Sequence, residues 1–159
     1  MSAEYFRSKG CDYWRELEPS YGCLNVRGRV VVVVGADCGS THVYFLSRGA
    51  RYVIGFEKSD DLRRVWNSVC ADFHICDHGE IRGEWHGEYP DADVFVMDCE
   101  GCESNLDVSS LSKYKEWCIA VHDWTSNRVS LLRKLQGAIF SYVTDDGREI
   151  MLCHCQNVF

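Results

Sequence analysis

The sequence contains no long apolar run, few prolines and no excess of basic residues. A membrane-spanning helix needs about 20 consecutive apolar residues, and the start MSAEYFRSKG lacks the apolar stretch of a signal peptide. We therefore expect a cytoplasmic protein with no membrane partner. Lys and Arg number 17 against 24 Asp and Glu, which makes the formal net charge −7. Because phosphate contacts dominate nucleic-acid affinity, a long nucleic acid is a disfavoured partner.

The chain length fits one compact domain. Its 159 residues are 46% hydrophobic and 26% charged, which is ordinary for a soluble globular protein. We find no internal repeat, linker or low-complexity tract, and the two prolines, Pro19 and Pro90, lie between periodic segments. We predict a single domain over 1–159, in which 1–28 form a short helical lead-in with a loop at 18–22.

Cysteine is unusually abundant, with 10 residues. Three interpretations stay open. The cysteines could be small buried hydrophobes or disulfides of the kind that intracellular hyperthermophile proteins tolerate. The pair Cys99 and Cys102 could also join the run 153–155 in a zinc site, although the spacing of that run matches no standard zinc motif. We assign no metal ligand.

Strand and helix patterns alternate along the chain. Continuous β-branched or apolar runs predict strands, and capped amphipathic stretches predict helices. The predicted strands are 30–34, 52–56, 73–76, 92–97, 117–121, 139–143 and 149–155; the predicted helices are 40–48, one capped by Ser59, 104–114 and 125–135; the stretch 77–91 is predicted to be a loop. Such alternation predicts a three-layer α/β sandwich, with a doubly wound, mostly parallel seven-stranded sheet and a C-terminal antiparallel hairpin. This is the arrangement of the class I methyltransferase fold, which is Rossmann-like.

Ligands of open α/β sheets bind beyond the carboxyl ends of the strands. Acidic residues concentrate there: the segments that follow the predicted strands are 35–39, Glu57-Lys58, Asp77-His78, 98–100 and His122-Asp123. The glycines of the first segment, Gly35 and Gly39, are spaced G-x-x-x-G, and the dinucleotide fingerprint G-x-G-x-x-G is absent. An acid about 20 residues after such a turn, here Glu57, can bind both ribose hydroxyls of a nucleoside.

Two stretches resemble the FkbM-type S-adenosylmethionine-dependent methyltransferases. The first is VVVVVGADCGSTHVYFLSRGARYVIGFEKS, and the second is VFVMDCEGCE, which is similar to the D-x-E-G-x-E signature of that family. The resemblance covers about 28–124. It implies a class I fold, S-adenosyl-L-methionine as the cofactor, and transfer of a methyl group to oxygen of a small molecule or a sugar-containing acceptor such as a glycan.

The resemblance also implies a role for each matching residue. Gly35, Ala36, Asp37, Cys38 and Gly39 would surround the amino-acid part of the cofactor. Glu57, with Lys58 beside it, would bind the ribose. Asp77 would reach the adenine amino group, Asp98 would face the methyl group, and Glu100 and Glu103 would shape the acceptor side. Val33 occupies the position where the family usually carries an acid.

Three alternatives concern the chemistry. The catalytic residues that we predict are Asp98, Glu100 and His122. Either His122 or Glu100 would be the base that takes the proton of a hydroxyl acceptor. Alternatively, His122 is a packed histidine without a catalytic role. Asp98, Glu100, His122 and Asp123 could instead hold magnesium together. The chain could also be a catalytically degenerate domain that binds a nucleoside or a protein.

Overall fold

A computed structural model describes residues 2–156 and contains a seven-stranded sheet with the strand order β3-β2-β1-β4-β5-β7-β6. Strands β1 to β5 run parallel, and β7 runs antiparallel between β5 and β6. The strands are β1 (Val30–Val34), β2 (Tyr52–Phe56), β3 (Gly79–Arg82), β4 (Val94–Met97), β5 (Glu116–His122), β6 (Ile139–Val143) and β7 (Glu149–His154). The predicted fold class is confirmed.

Five α-helices and three 3₁₀ segments connect the strands. The α-helices are α1 (Ser2–Ser8), α2 (Trp14–Tyr21), α3 (Ser40–Ser47), α4 (Asp60–Asp72) and α5 (Arg128–Lys134), and the 3₁₀ segments are Cys76–His78, Cys102–Asn105 and Val108–Lys113. Within the described residues, no helix is long and apolar enough to cross a membrane.

The five valines of β1 lie at the centre of the molecule. Because successive side chains of a strand point to opposite faces, Val31 and Val33 pack with α2 and α3, and Val32 and Val34 pack with α5 and the 3₁₀ segments. Val31–Val34 are at most 1% exposed. The continuous β-branched run thus reflects a strand covered on both faces, as predicted.

The third strand lies elsewhere than predicted. Residues 73–76 end α4 and enter a 3₁₀ turn, and β3 is instead Gly79–Arg82, inside the stretch predicted to be a loop. Phe73 and Ile75 are apolar because they pack against α1, and Cys76 is bonded to Cys70. At the sheet edge, β3 tolerates polar residues, since only Gly79 is buried.

Three other boundaries differ from the predictions. The loop predicted at 18–22 is mostly the last turn of α2, which survives Pro19 because Leu17 and Tyr21 are buried. The helix predicted at 104–114 is two 3₁₀ segments. Helix α5 begins at Arg128 and not at 125, because the Thr125 hydroxyl donates a hydrogen bond to the Glu103 carboxylate and caps no helix.

The ten cysteines form five disulfides, which favours the disulfide interpretation over the zinc site. The pairs are Cys11–Cys38, Cys23–Cys155, Cys70–Cys76, Cys99–Cys102 and Cys118–Cys153. The two halves of the suggested zinc site, Cys99-Cys102 and 153–155, therefore have different partners. Disulfides stabilise a fold mainly by restricting the unfolded chain, and they do so more when they close a longer loop.

His42 of α3 is completely buried against the sheet. Two glycines make room for its imidazole: a Cβ on Gly55 would lie 2.5 Å from His42 Cε1, and one on Gly79 would lie 2.9 Å from Cδ2. Nε2 lies 3.0 Å from the carbonyl oxygen of Glu80, and this contact requires Nε2 to carry the proton. Burial disfavours the charged imidazolium and lowers the pKa of His42 to about 4.

This burial predicts a loss of stability in mild acid. The folded pKa lies below the ordinary 6.5, so the contribution of His42 is fully present above pH 6.5 and is lost as the pH falls towards 4. The full loss is about 3 kcal/mol. The free energy of unfolding should be measured by denaturant titration for the wild type and for His42→Gln, which keeps a donor for Glu80. The difference between the two should shrink as the pH falls from 6.5 to 4. A constant difference would contradict the prediction.

Candidate functional site

A pocket of about 340 Å³ lies beyond the carboxyl ends of β1, β2, β3 and β4, where the strand order reverses. This size is typical of a small-molecule site. Five segments line it, and they contain Tyr13, Leu17, Tyr21, Val34, Gly35, Asp37, Ser40, Thr41, Phe56, Glu57, Lys58, Ser59, Leu62, Glu84, Trp85, Asp98, Cys99, Glu100 and Cys102. The position is the one that the sequence predicted from the acids after the strands.

The turn after β1 forms one wall, but its glycines are required mainly by packing. Gly35 has φ +87°, and a Cβ there would lie 1.8 Å from the carbonyl oxygen of Asp98. Gly39 has φ +95°, and its Cβ would lie 2.3 Å from the ring of Trp66. Gly35 thus lets the β1 and β4 loops meet, and Gly39 lets α3 approach α4.

Only part of this turn offers side chains to a ligand. Asp37 lines the pocket. Ala36 and Cys38 are completely buried, and Cys38 is bonded to Cys11. The predicted contacts of Ala36 and Cys38 with a ligand are therefore restricted to the backbone, and Gly39 is covered by Trp66.

Glu57 and Asp37 form a carboxylate pair at the ends of β2 and β1. Glu57 accepts hydrogen bonds from the backbone N–H of Asp37 at 3.0 Å and of Ser59 at 2.9 Å. Burial, and then repulsion from Glu57, raises the pKa of Asp37 to about 6. Within residues 2–156, the buried Asp37 Oδ2 has no hydrogen-bond partner. A buried acceptor without a donor is costly, so this pair is suited to a ligand that donates hydrogen bonds.

Asp77 does not reach the pocket, because the third strand lies later in the chain than predicted. Asp77 precedes β3 and lies at its amino end, while the site is at the carboxyl ends. The residues that follow β3 are Glu84 and Trp85, and both line the pocket. Sequence reasoning missed Glu84, although an acid directly after Gly83 and beside a tryptophan was an available signal.

The N-terminal helices supply a wall that sequence reasoning also missed. Tyr13, Leu17 and Tyr21 line the pocket from the segment predicted to be only a lead-in. The amphipathic spacing of Leu17 and Tyr21 was the available signal. The Cys11–Cys38 disulfide joins this segment to the turn after β1, and Cys99–Cys102 closes the loop after β4. Both disulfides therefore hold pocket loops in place.

The end of β5, the loop after β4 and the start of β7 bring a histidine and four carboxyls together. His122 is completely buried. Its Nδ1 lies 2.8 Å from Glu103 Oε1, and its Nε2 lies 3.4 Å from Glu149 Oε2, 3.5 Å from Asp98 Oδ1 and 3.9 Å from Glu100 Oε2. The structure thus brings together the three predicted catalytic residues and adds Glu103 and Glu149. Asp123, by contrast, is paired with Arg148.

The pKa values in this cluster follow from burial and from its surplus of acids. Burial lowers the pKa of His122, but Glu103 and Glu149 beside the ring outweigh this and raise it to about 10. Burial and then the Glu149 charge raise the pKa of Asp98 well above its usual range. Burial would also raise the pKa of Glu103, yet its hydrogen bonds from His122 and Thr125 lower it to about 2. In this state His122 is a cation, which does not suit the role of a base.

Comparisons with known proteins identify close relatives. No protein-family model matches the chain. Uncharacterized protein 65 of Sulfolobus islandicus filamentous virus (isolate Iceland/Hveragerdi) is 57% identical over 151 residues, which cover 95% of this chain and 96% of that protein. Uncharacterized protein 158B of Sulfolobus islandicus rod-shaped virus 1 is 53% identical over 152 residues, which cover 94% and 96%.

Solved structures share the fold at low sequence identity. A dimethyladenosine transferase from Plasmodium falciparum aligns with a TM-score of 0.71 at 12% identity, covering 87% of this chain and 60% of that one. TrmK of M. capricolum, in complex with S-adenosyl-homocysteine, aligns with a TM-score of 0.63 at 12% identity, and the alignment covers 89% of this chain and 68% of that one. Aeropyrum pernix fibrillarin, with natively bound S-adenosyl-L-methionine, aligns with a TM-score of 0.58 at 14% identity, and the alignment covers 88% of this chain and 74% of that one. The fold is that of class I methyltransferases.

Proposed function

Since the chain belongs to the family of Sulfolobus virus proteins that includes uncharacterized protein 65 and protein 158B, and since it has a class I methyltransferase fold, we propose that it is an S-adenosylmethionine-dependent methyltransferase. The observation that carries the proposal is the carboxylate pair Glu57 and Asp37, which faces a pocket at the switch point of the sheet. Ligands of open α/β sheets bind at this point.

The ribose of the cofactor would bind at this carboxylate pair. A carboxylate has about four acceptor sites, so Glu57 can accept a ribose hydroxyl in addition to its two backbone donors. The second hydroxyl would donate to Asp37 Oδ2, the buried oxygen without a partner. The pair therefore fits the two adjacent hydroxyls of a nucleoside. Lys58 lies beside it in the pocket lining.

The adenine ring would lie against apolar side chains near the end of β3. Phe56, Leu62 and Trp85 line this part of the pocket, and aromatic faces bind flat rings well. We assign the acceptor for the adenine amino group to Glu84, in place of Asp77, because Glu84 follows the observed β3 and lines the pocket.

The methyl group would be transferred at the end of β4. The acceptor oxygen attacks the methyl carbon while the carbon–sulfur bond breaks, and the acceptor loses its proton. The protein mainly holds the reacting atoms in line. Asp98 lines the pocket, and burial raises its pKa, which suits a proton acceptor near neutral pH. We assign the base role to Asp98 and the acceptor side to Glu100. His122, as a cation, positions the carboxylates.

The acidic mouth of the pocket favours a small acceptor over RNA. The pocket lining contains five acids and one lysine: Asp37, Glu57, Glu84, Asp98 and Glu100 against Lys58. A phosphate backbone would be repelled there. We therefore propose O-methylation of a small molecule or a sugar-containing acceptor, as the FkbM-type resemblance implies.

Cofactor binding tests the proposal directly. A ligand at about 100 times its dissociation constant stabilises a fold by about 2.7 kcal/mol, or roughly 5–10 °C for a chain of this size. We expect S-adenosylmethionine and S-adenosylhomocysteine to produce this shift in the wild type and in Glu4→Ala, since Glu4 is exposed and does not line the pocket. Glu57→Ala should lose most of the shift, because the ribose loses its acceptor.

The outcomes separate the competing functions. No shift in the wild type at millimolar cofactor would overturn the proposal, and an unchanged shift in Glu57→Ala would overturn the ribose position. Transfer of a labelled methyl group should then be measured to hydroxyl-bearing small molecules, to glycans and to RNA. Transfer only to RNA would overturn the acceptor class. Binding without transfer to any of the three would favour a catalytically degenerate domain.

A further inference from the structure

His122 presents a buried ring nitrogen that lacks a hydrogen bond. Its side chain is completely buried, and among the described residues Nε2 has no hydrogen-bond partner. Carboxylate oxygens of Asp98, Glu100 and Glu149 nevertheless lie 3.4–3.9 Å from this nitrogen. Four carboxyls, with Glu103 included, surround a single imidazole, so even a protonated ring leaves the cluster with a surplus of negative charge.

The other ring nitrogen is fixed by Glu103. Nδ1 lies 2.8 Å from Glu103 Oε1, which also accepts the backbone N–H of His122 at 3.0 Å. Glu103 Oε2 accepts the backbone N–H of Gly101 at 2.8 Å, and Thr125 donates to Oε1. With so many donors, Glu103 remains an acceptor, and the proton of Nδ1 points to it. Metal-binding histidines commonly donate their second N–H to a carboxylate in this way, which directs the lone pair of the other nitrogen to the metal.

The spacing of the donor atoms fits one ion. The donor atoms of Asp98, Glu100 and His122 all lie within 4.8 Å of one another. A metal that binds nitrogen and oxygen at about 2.1 Å in a tetrahedron separates its ligands by about 3.4 Å. The distances from Nε2 are 3.5 Å to Asp98 and 3.9 Å to Glu100, which are close to this separation.

We propose that His122 Nε2, Asp98 Oδ1 and Glu100 Oε2 bind a divalent transition metal, with Glu149 as an adjacent carboxylate. A nitrogen together with carboxylate oxygens suits manganese, iron, cobalt or zinc better than an all-oxygen cation site. The metal takes the lone pair that binds a proton in the metal-free protein. Asp123, which the sequence suggested as a magnesium ligand, is not part of this site, because it pairs with Arg148.

The site would have a function in methyl transfer. Three protein ligands leave a position open for water or substrate, as in catalytic metal sites, and Asp98 and Glu100 line the pocket. This part of the inference rests on the proposed function: a hydroxyl oxygen bound at the open position would be held beside the methyl group, and the metal would lower the hydroxyl pKa. Asp98 would then be a metal ligand, so the metal would take over the role of the base that Asp98 has in the metal-free site.

Metal titration of the protein with its five disulfides intact tests the inference. Protein stripped with a chelator should be titrated calorimetrically with manganese and cobalt, with the visible spectrum of cobalt as a second readout. We expect one equivalent to bind. Loss of an outer-shell partner weakens metal sites roughly 10–100-fold, so loss of a ligand in Glu100→Gln or His122→Gln should weaken binding at least about tenfold. Asp123→Asn, the matched control, should stay within about twofold.

Glu100→Gln keeps the test sharp if His122→Gln fails to fold, since the Glu100 side chain is 61% exposed. No binding to the wild type at millimolar metal, or equal binding to Glu100→Gln and the wild type, would overturn the site. The thermal shift with S-adenosylhomocysteine should be measured on the same metal-free protein. Cofactor binding without metal binding overturns only the metal site, and metal binding without cofactor binding overturns only the methyltransferase proposal.

Discussion

Replacing Glu103 with alanine is expected to lower the free energy of unfolding by about 3–5 kcal/mol, because it leaves a buried cation without its principal partner. The Glu103 side chain is completely buried and accepts hydrogen bonds from His122, Thr125 and the backbone N–H of Gly101. All of these donors lose their acceptor at once. Urea unfolding monitored by circular dichroism measures the loss.

Glu100 provides the matched control. It lies three residues earlier in the same loop, its carboxylate is largely exposed, and it is 3.9 Å from His122 Nε2. Because exposed ion pairs contribute about 0–1 kcal/mol, Glu100→Ala should change the stability of the metal-free protein by less than 1 kcal/mol. Glu103→Gln, which keeps one acceptor oxygen, should be intermediate. A stability of Glu103→Ala within about 1 kcal/mol of Glu100→Ala would show that the buried pair contributes little.

The second large effect concerns the disulfide between Cys23 and Cys155. The pair joins the segment after α2 to the end of β7, with a sequence separation of 132. In the chain-entropy description a loop of this length stabilises the fold by about 5 kcal/mol. The double variant Cys23→Ala/Cys155→Ala should therefore melt roughly 10–20 °C below the wild type, as measured by calorimetry without reductant.

The disulfide between Cys99 and Cys102 is the control for loop length. Its sequence separation is 3, for which the same description gives only about 2 kcal/mol. Cys99→Ala/Cys102→Ala should therefore lose less than half as much stability. Equal losses in the two double variants would show that loop length is not the cause. Peptide mapping under non-reducing conditions should accompany the melts, because the sulfurs of Cys118 and Cys153 lie near those of Cys23 and Cys155.

Much of the fold could be predicted because its patterns are local. Val30–Val34, Tyr52–Phe56 and Ile139–Val143 have the predicted bounds. A central strand buried on both faces must be apolar along its whole length, so its identity appears in a short window. Alternation with helices then leaves few topologies. The same reasoning predicted a site at the carboxyl ends of the strands, where the structure has a pocket whose lining includes Glu57, Asp98 and Glu100.

The third strand could not be predicted in this way. Phe73 and Ile75 are apolar because they pack with α1, while β3 is polar because it lies at the edge of the sheet. A local pattern reports burial but does not report which element covers a residue. Because of this error, the adenine contact was predicted at Asp77, at the end of β3 that lies opposite the pocket residue Glu84.

The amino-acid sequence on its own therefore determined the central strands of the sheet and the acids that follow them, since these depend on neighbours in the chain. Only the tertiary structure decided which cysteines pair, that Cys38 is withdrawn from the pocket, and that His122 lies among four carboxyls. Glu149 reaches His122 because β7 pairs with β5, with His122 opposite Glu149. Contacts between distant segments arise from strand register and packing, and these contacts set the charge of His122.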